Sequence, residues 1–287
     1  MPFEAYKIYQ EYEPDKYKTS TQEKVARALA EAKKEGLEPV KEALDFNEVR
    51  ELFENDFIGI EEVEKFTGRP LTPEEKRIAE EKWQKKIEEQ GLTKEGLEQL
   101  KQEGFMVVLR VGALAGKEKK DKEMPVTIKN LRKKFPLFYN QDWYNNEQFA
   151  DEALSGLDWG IVKKELLDET RSKNWDEQQE ILKTWAETHG VDEKFVRRRT
   201  PTEVAYDILA YFQARNQRIL EKDRDWTSVQ SSDGKFVNVG NFDSDGLNVN
   251  NDTRDNRNSN LGVCPARQSR RCTPREAFLK RGFFYNQ

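Results

Sequence analysis

The sequence predicts an α+β protein: a charged helical N-terminal region over residues 1–103, then a domain over 104–287 that packs helices on a small, twisted antiparallel sheet. Three observations predict it. In the first hundred residues, apolar side chains recur at helical spacing behind capping residues. At 105–114 an apolar, β-branched run, FMVVLRVGAL, bounded by Gly104 and Gly112, reads as a buried strand and marks the expected boundary. Beyond Leu220 the helical signals give way to short alternating runs separated by turn residues.

Ser20 and Thr21 open a helix through TQEKVARALAEAKKEG, with Val25, Ala28, Leu29 and Ala32 at helical spacing and Gly36 at its end. FNEVRELFENDF places Val49, Leu52, Phe53 and Phe57 on one face, and IGIEEVEKFTG is a further short helix. In LTPEEKRIAEEKWQKKIEEQG, Thr72 is the N-cap, Pro73 takes the first helical position and Glu75 closes a capping box. The Lys and Glu runs of these helices read as solvated faces with i,i+4 pairs. After FMVVLRVGAL, a lysine-rich loop, GKEKKDKEMP, leads to a helix from Thr127 to Phe135 that Pro136 stops. Trp143, Tyr144, Phe149 and Trp159, interleaved with polar residues, read as core packing in the absence of a basic groove.

Two more helices follow. NWDEQQEILKTWAETHG offers Trp175, Ile181, Leu182 and Trp185. TPTEVAYDILAYFQARNQRIL begins with Thr200, Pro201 and a capping Glu203, and buries Val204, Ile208, Leu209, Tyr211 and Phe212. Strands are expected at DWTSVQ, KFVNVGNF and LNVN, joined by turns at Ser232-Asp233-Gly234 and Asp245-Gly246. LGVCPAR is expected as a last apolar strand, and TPREAFLKRGFF, from Thr273, as a short closing helix.

Composition excludes several functions. Charged residues make up 36% of the 287, yet 11% aromatic content supplies large side chains for a core. A net charge of −5 provides no cationic footprint, so nucleic acid is not an expected partner. No run approaches the roughly 18 consecutive apolar residues of a membrane span, and MPFEAYKIYQEYEPDKYK lacks the pattern of a secretory signal; a cytoplasmic location is the default expectation. Cys264 and Cys272 read as thiols rather than a disulfide framework. The single histidine, His189 beside Gly190 at a helix end, supports neither a zinc cluster nor a Ser-His-Asp triad. No cofactor is expected.

The informative feature is a concentration of short polar side chains among the last strands: Asn238, Asn241, Ser244, Asn248, Asn250, Asn251, Asp252, Asn256, Asn258 and Asn260. Such residues favour turns, and composition alone describes a loop-rich edge of a β-domain. Asp243, Asp245 and Asn248 around Gly246 invite a calcium reading, but an EF-hand loop alternates three ligands before its glycine and needs a distal glutamate; none lies between Gly246 and Arg275. Acidic pairs here have no differing environments to set up acid–base roles, and no Gly-rich phosphate cradle occurs.

Residues 225–268, DWTSVQSSDGKFVNVGNFDSDGLNVNNDTRDNRNSNLGVCPARQ, resemble the C-terminal variable region of proteins targeted by diversity-generating retroelements. The landmarks are Trp226-Thr227-Ser228, Ser232-Asp233-Gly234, VGNFDSDGL at 239–247 and LGV-x-x-AR at 261–267. Upstream, IEEVEKFTG, FMVVLRV, LFYNQDWYNNEQF, the stretch from DWGIVKKELL to SKNWDEQ, and PTEVAYDILAYFQARNQRIL look like the scaffold found with such ends in small-genome uncultured bacteria. The resemblance implies a C-type-lectin-like fold, with FMVVLRV near LGVCPAR, and a display region over about 226–267 in which residues with adenine-containing template codons are rewritten. It carries the ten residues above, with Asp245, Thr253, Asp255 and Ser259, as ligand-binding display positions toward a macromolecular partner, protein being the favoured class. The calcium signature of sugar-binding lectins is not visible. Two rivals remain: an enzyme of the formylglycine-generating type, which shares that fold and would use Cys264 with Cys272, and a structural or assembly protein with an oligomerising N-terminus.

Overall fold

The computed structural model describes residues 44–116 and 122–267. The helix expected behind Ser20 and Thr21, Cys272 and the closing helix expected from Thr273 lie outside the described residues. Among those residues, seven α-helices accompany two main sheets, an α+β arrangement.

Local chemistry sets the helix ends. In α1 (Phe46–Phe53) the Asp45 carboxylate accepts from the backbone of Asn47 and Glu48 while Glu48 accepts from the Asp45 N–H. A 3₁₀ turn at Glu54–Asp56 then leads into β1 (Phe57–Ile58), so Phe57 packs from a strand and not from the expected helix. α2 (Ile60–Thr67) ends at Gly68, whose φ of 69° suits glycine. α3 (Pro73–Gln90) has the expected Thr72–Glu75 capping box, and α4 (Lys94–Gln102) is capped by Thr93. α5 (Ile128–Lys134) starts behind Thr127, and α6 (Trp175–Thr188) behind Asn174, which exchanges capping bonds with Glu177. α7 (Pro201–Arg215) carries the Thr200–Glu203 box and stops at Asn216, whose left-handed backbone ends the helix short of the expected Leu220.

The first sheet has the order β1, β2 (Phe105–Arg110), β5 (Asp158–Lys163), β11 (Ala266–Arg267) and β6 (Val196–Arg197), with β1 parallel to β2 and the other pairs antiparallel. β3 (Ala113–Leu114) and β4 (Met124–Pro125) form a separate small pair. The second sheet runs β10 (Leu261–Gly262), β7 (Arg224–Gln230), β8 (Phe236–Asp243) and β9 (Gly246–Asp252). LGVCPAR therefore divides between two sheets. The reason lies at its centre: the Val263 N–H donates to Thr170 Oγ1 and the Cys264 N–H to Asp225 Oδ1, so side chains replace a strand ladder. FMVVLRV lies one strand away from this ending, with β5 between them.

α7 runs between the two sheets. On the first sheet, Leu109 pairs with Trp159 and Val107 with Ile161, one face of the pleat, and Trp159 Nε1 donates to the Ala79 carbonyl of α3. The opposite face carries Arg110 to α7, where Tyr206 also donates to the Leu109 carbonyl. Across α7, Phe212 meets Phe242 of β8 edge to face, with ring centres 5.1 Å apart. Covered from both sides, α7 buries every residue from Pro201 to Tyr211, more than the single apolar side its sequence predicts.

Trp83, Ile87, Leu97 and Leu100 share one core with Phe105–Leu109. The expected boundary before Phe105 falls within that shared core. A buried ionic chain crosses it. Arg110 donates to both oxygens of Asp207 at 2.8 and 2.6 Å, Arg199 joins Asp207 at 2.7 Å to Asp225 at 2.9 Å, and Asp225 accepts the Cys264 N–H at 2.9 Å. All four charged side chains are buried. Burial pushes the Asp225 carboxyl up, and Arg199 opposes that shift.

Candidate functional site

Strand register sorts the polar residues of the second sheet. Trp226 lies opposite Asn238 and Asn238 opposite Asn250; Arg224 faces Gly240, Gly240 faces Asn248, and Phe236 faces Asp252. Antiparallel partners share a face, so Arg224, Trp226, Asn238, Asn248, Asn250 and Asp252 occupy the side turned away from α7, while Asp225, Val239 and Val249 occupy the inner side. On the outer side Trp226, Phe236 and Leu261 form a small apolar cluster with Trp175 against it.

The structure corrects one expected display position. Asn238 is fully buried in mid-sheet between Trp226 and Asn250; its Nδ2 donates to Asp252 Oδ2 at 2.9 Å and its Oδ1 is buried without a partner. Seven others are half-buried and bonded. Asn241, with φ 48°, donates to Asp243 Oδ2, and Asn248 Oδ1 accepts from Gln141. The Asn251 N–H donates to Asn250 Oδ1, and its side chain to Ser231 and Asp233. Asp252 also accepts from Asn256 at 2.5 Å, and Asn260 accepts from Arg224 at 3.2 Å while donating to the Lys222 carbonyl. The remaining six, Ser244, Asp245, Thr253, Asp255, Asn258 and Ser259, are exposed.

Beneath the exposed positions the 253–260 loop is fastened by residues that sequence reasoning missed. Arg254 pairs with Asp176 and Arg257 with Glu177, both in the first turn of α6. Trp175 donates its N–H to the Arg254 carbonyl at 3.0 Å and stacks on Phe236, with guanidinium carbons of Arg198 and Arg254 at 4.5 and 5.5 Å from its ring centre. Arg171 binds Asp223 through two 2.7 Å bonds and reaches the Ser259 carbonyl. The spacing of Arg254 and Arg257 and the adjacent acids behind Asn174 stand in the sequence; that they meet across about eighty residues is decided by the fold.

The chemistry-bearing residues serve structure. Asp243 closes the β8–β9 turn by accepting from the Asp245 N–H at 2.9 Å and from Asn241, so both oxygens face donors rather than a cation. Among the described residues no three His, Cys, Asp or Glu side chains gather as metal ligands. Cys264 is a free, buried thiol, and burial, then the nearby Asp225 carboxylate, pushes its pKa well up, the wrong direction for a nucleophile. His189 caps α6, its Nδ1 2.7 Å from the Trp185 carbonyl and its Nε2 3.0 Å from Glu103. Among the described residues no helix is long and apolar enough to cross a membrane. Compared with protein-family models, curated proteins and solved structures, this chain finds no match.

Proposed function

We propose that this chain is a ligand-recognition protein that displays a diversifiable surface on a C-type-lectin-like scaffold, the target of a diversity-generating retroelement. The observation that carries the reading is the alternation along 253–260. Arg254, Asn256, Arg257 and Asn260 hold the loop, while Thr253, Asp255, Asn258 and Ser259 point to solvent between them. Such a loop can change its exposed side chains while its backbone stays pre-organised, which keeps the ordering cost of binding low. Tyr139 lies beside the Ser244–Asp245 turn: its N–H donates to Leu247, and it is the exposed large apolar side chain among the described residues. An aromatic at that place is a ready anchor for a protein partner.

The test is genomic and then biochemical. A second near-copy of the segment coding for 238–260, beside a reverse transcriptase and differing only at adenines, is the expected finding; its absence from the source genome overturns the diversification reading. Where such a copy exists, natural differences should fall on the six exposed positions and spare Arg254 and Arg257.

A further inference from the structure

Arg218 follows the end of α7. Its guanidinium carbon sits 5.2 Å from the ring centres of both Phe212 and Phe242, which are themselves edge to face, so two aromatic rings hold the group in place. The residue is nonetheless exposed. Arg77, Arg254 and Arg257, the other exposed arginines among the described residues, each pair with a carboxylate. Arg218 pairs with none among those residues, and Glu221, three residues on, stays outside ion-pair distance of it. A free arginine gives up as much as about 2 kcal/mol of rotamer freedom on being fixed. The two rings have met part of that cost before any partner arrives.

Arg218 and Tyr139 stand on either side of the β8–β9 turn. On the β8 side the Phe242 N–H donates to the Leu220 carbonyl at 3.0 Å, tying the stretch behind Arg218 to the strand. On the β9 side Leu247 donates to the Leu137 carbonyl and accepts from the Tyr139 N–H. A Cβ added at Gly246 would meet the Tyr139 backbone nitrogen at 2.7 Å, so the Tyr139 backbone is seated on the turn itself. Between the two lie Ser244 and Asp245, both exposed. From Leu220 across β8 and β9 to Tyr139 is a matter of three backbone spacings, about 14 Å. A standard interface covers about 800 Å² of each partner, a patch about 30 Å across, so one partner spans both side chains and the turn between them.

We propose that the β8–β9 turn end of the second sheet is a docking surface for proteins that present an exposed carboxylate beside an apolar hollow. Arg218 takes the carboxylate through its fork of N–H groups, and Tyr139 fills the hollow. Both residues precede Trp226, so rewriting within 226–267 leaves them in place while it changes Ser244 and Asp245 between them. Partners of this surface share the feature that the two anchors read and differ in what meets the turn. This rests on the reading of the chain as a recognition protein, and not on the 253–260 loop.

Cyclic random peptides displayed on phage, panned against the full chain, are the probe. Peptides enriched on the wild type should carry an excess of Asp and Glu next to apolar residues. Arg218→Leu, which keeps an apolar cover on the two rings, should weaken them about tenfold or more, and Tyr139→Ala should do the same. Panning against Arg218→Glu should exchange the acidic residues of the enriched set for Lys and Arg. Enriched peptides without excess acid, a set unchanged by the Arg218→Glu reversal, or unchanged affinity in Arg218→Leu or in Tyr139→Ala overturns the proposal. If the peptides are lost instead with Asp255→Lys or Asn258→Lys, recognition stands and its place moves to the 253–260 loop. If no peptide is enriched, the proposal and the recognition reading fall together.

Discussion

Asn238 donates to Asp252 from a fully buried place on β8, whereas Asn258 holds an identical side chain at the surface. Lysine at each position separates the two roles. Asn258→Lys should change stability by no more than about 0.5 kcal/mol, and Asn238→Lys should lower it by about 3 kcal/mol or more, as read from urea denaturation. Asp225 is the link between Arg199 and the Cys264 N–H, and Asp225→Ala leaves a buried guanidinium half-neutralised; a loss of about 3–5 kcal/mol is expected from the same measurement. Lys86 makes a pH-dependent contribution. Its folded pKa of about 8 lies below its unfolded value, so between pH 8 and about 10.5 the unfolded chain holds the proton more tightly. Its destabilising effect is full below pH 8 and is relieved as pH rises through that window, by about 3 kcal/mol in all. Comparing denaturation of wild type and Lys86→Met from pH 7 to 10.5 checks this: the variant should be the more stable at pH 7, and the gap should close with rising pH.

Among the elements, the fastening of the 253–260 loop to α6 has a direct readout. In Arg254→Ala combined with Arg257→Ala, the backbone amide of Trp175, which donates to the Arg254 carbonyl, should exchange its hydrogen markedly faster while the thermal midpoint moves little; unchanged exchange would remove the anchoring role. Helix starts were the most legible part of the sequence, because a cap is a contact between residues three apart: Thr72 with Glu75 and Thr200 with Glu203 are written locally. β5 was not, since Asp158–Lys163 follows a mixed aromatic and polar stretch and becomes a strand only by pairing with β2 and β11. LGVCPAR reads as one strand locally, and its division depends on Thr170 and Asp225, far away in sequence. The polar cluster of the last strands was visible, but not which of its members face inward. Asn238 and Asn250 become distinct through burial by neighbours, and Arg254 and Arg257 become anchors through acids on another element.

For the molecule as a whole, two sheets and the helix between them depend on residues from both sides of Phe105. Trp83 and Phe57 pack on Trp159, and Trp159 Nε1 has its acceptor in α3. A fragment covering 104–287 should therefore lack a cooperative thermal transition, while the full chain shows one; a sharp transition in the fragment would contradict the shared core. The pleat of β8 and β9 has a further consequence, for insertion as opposed to substitution. Val249 faces inward and Asn250 outward only while the strand keeps its count between Gly246 and Asp252. One added or lost codon there would turn every later side chain to the opposite face, sending asparagine toward α7 and valine to solvent. Any process that rewrites this stretch must therefore change letters and never their number.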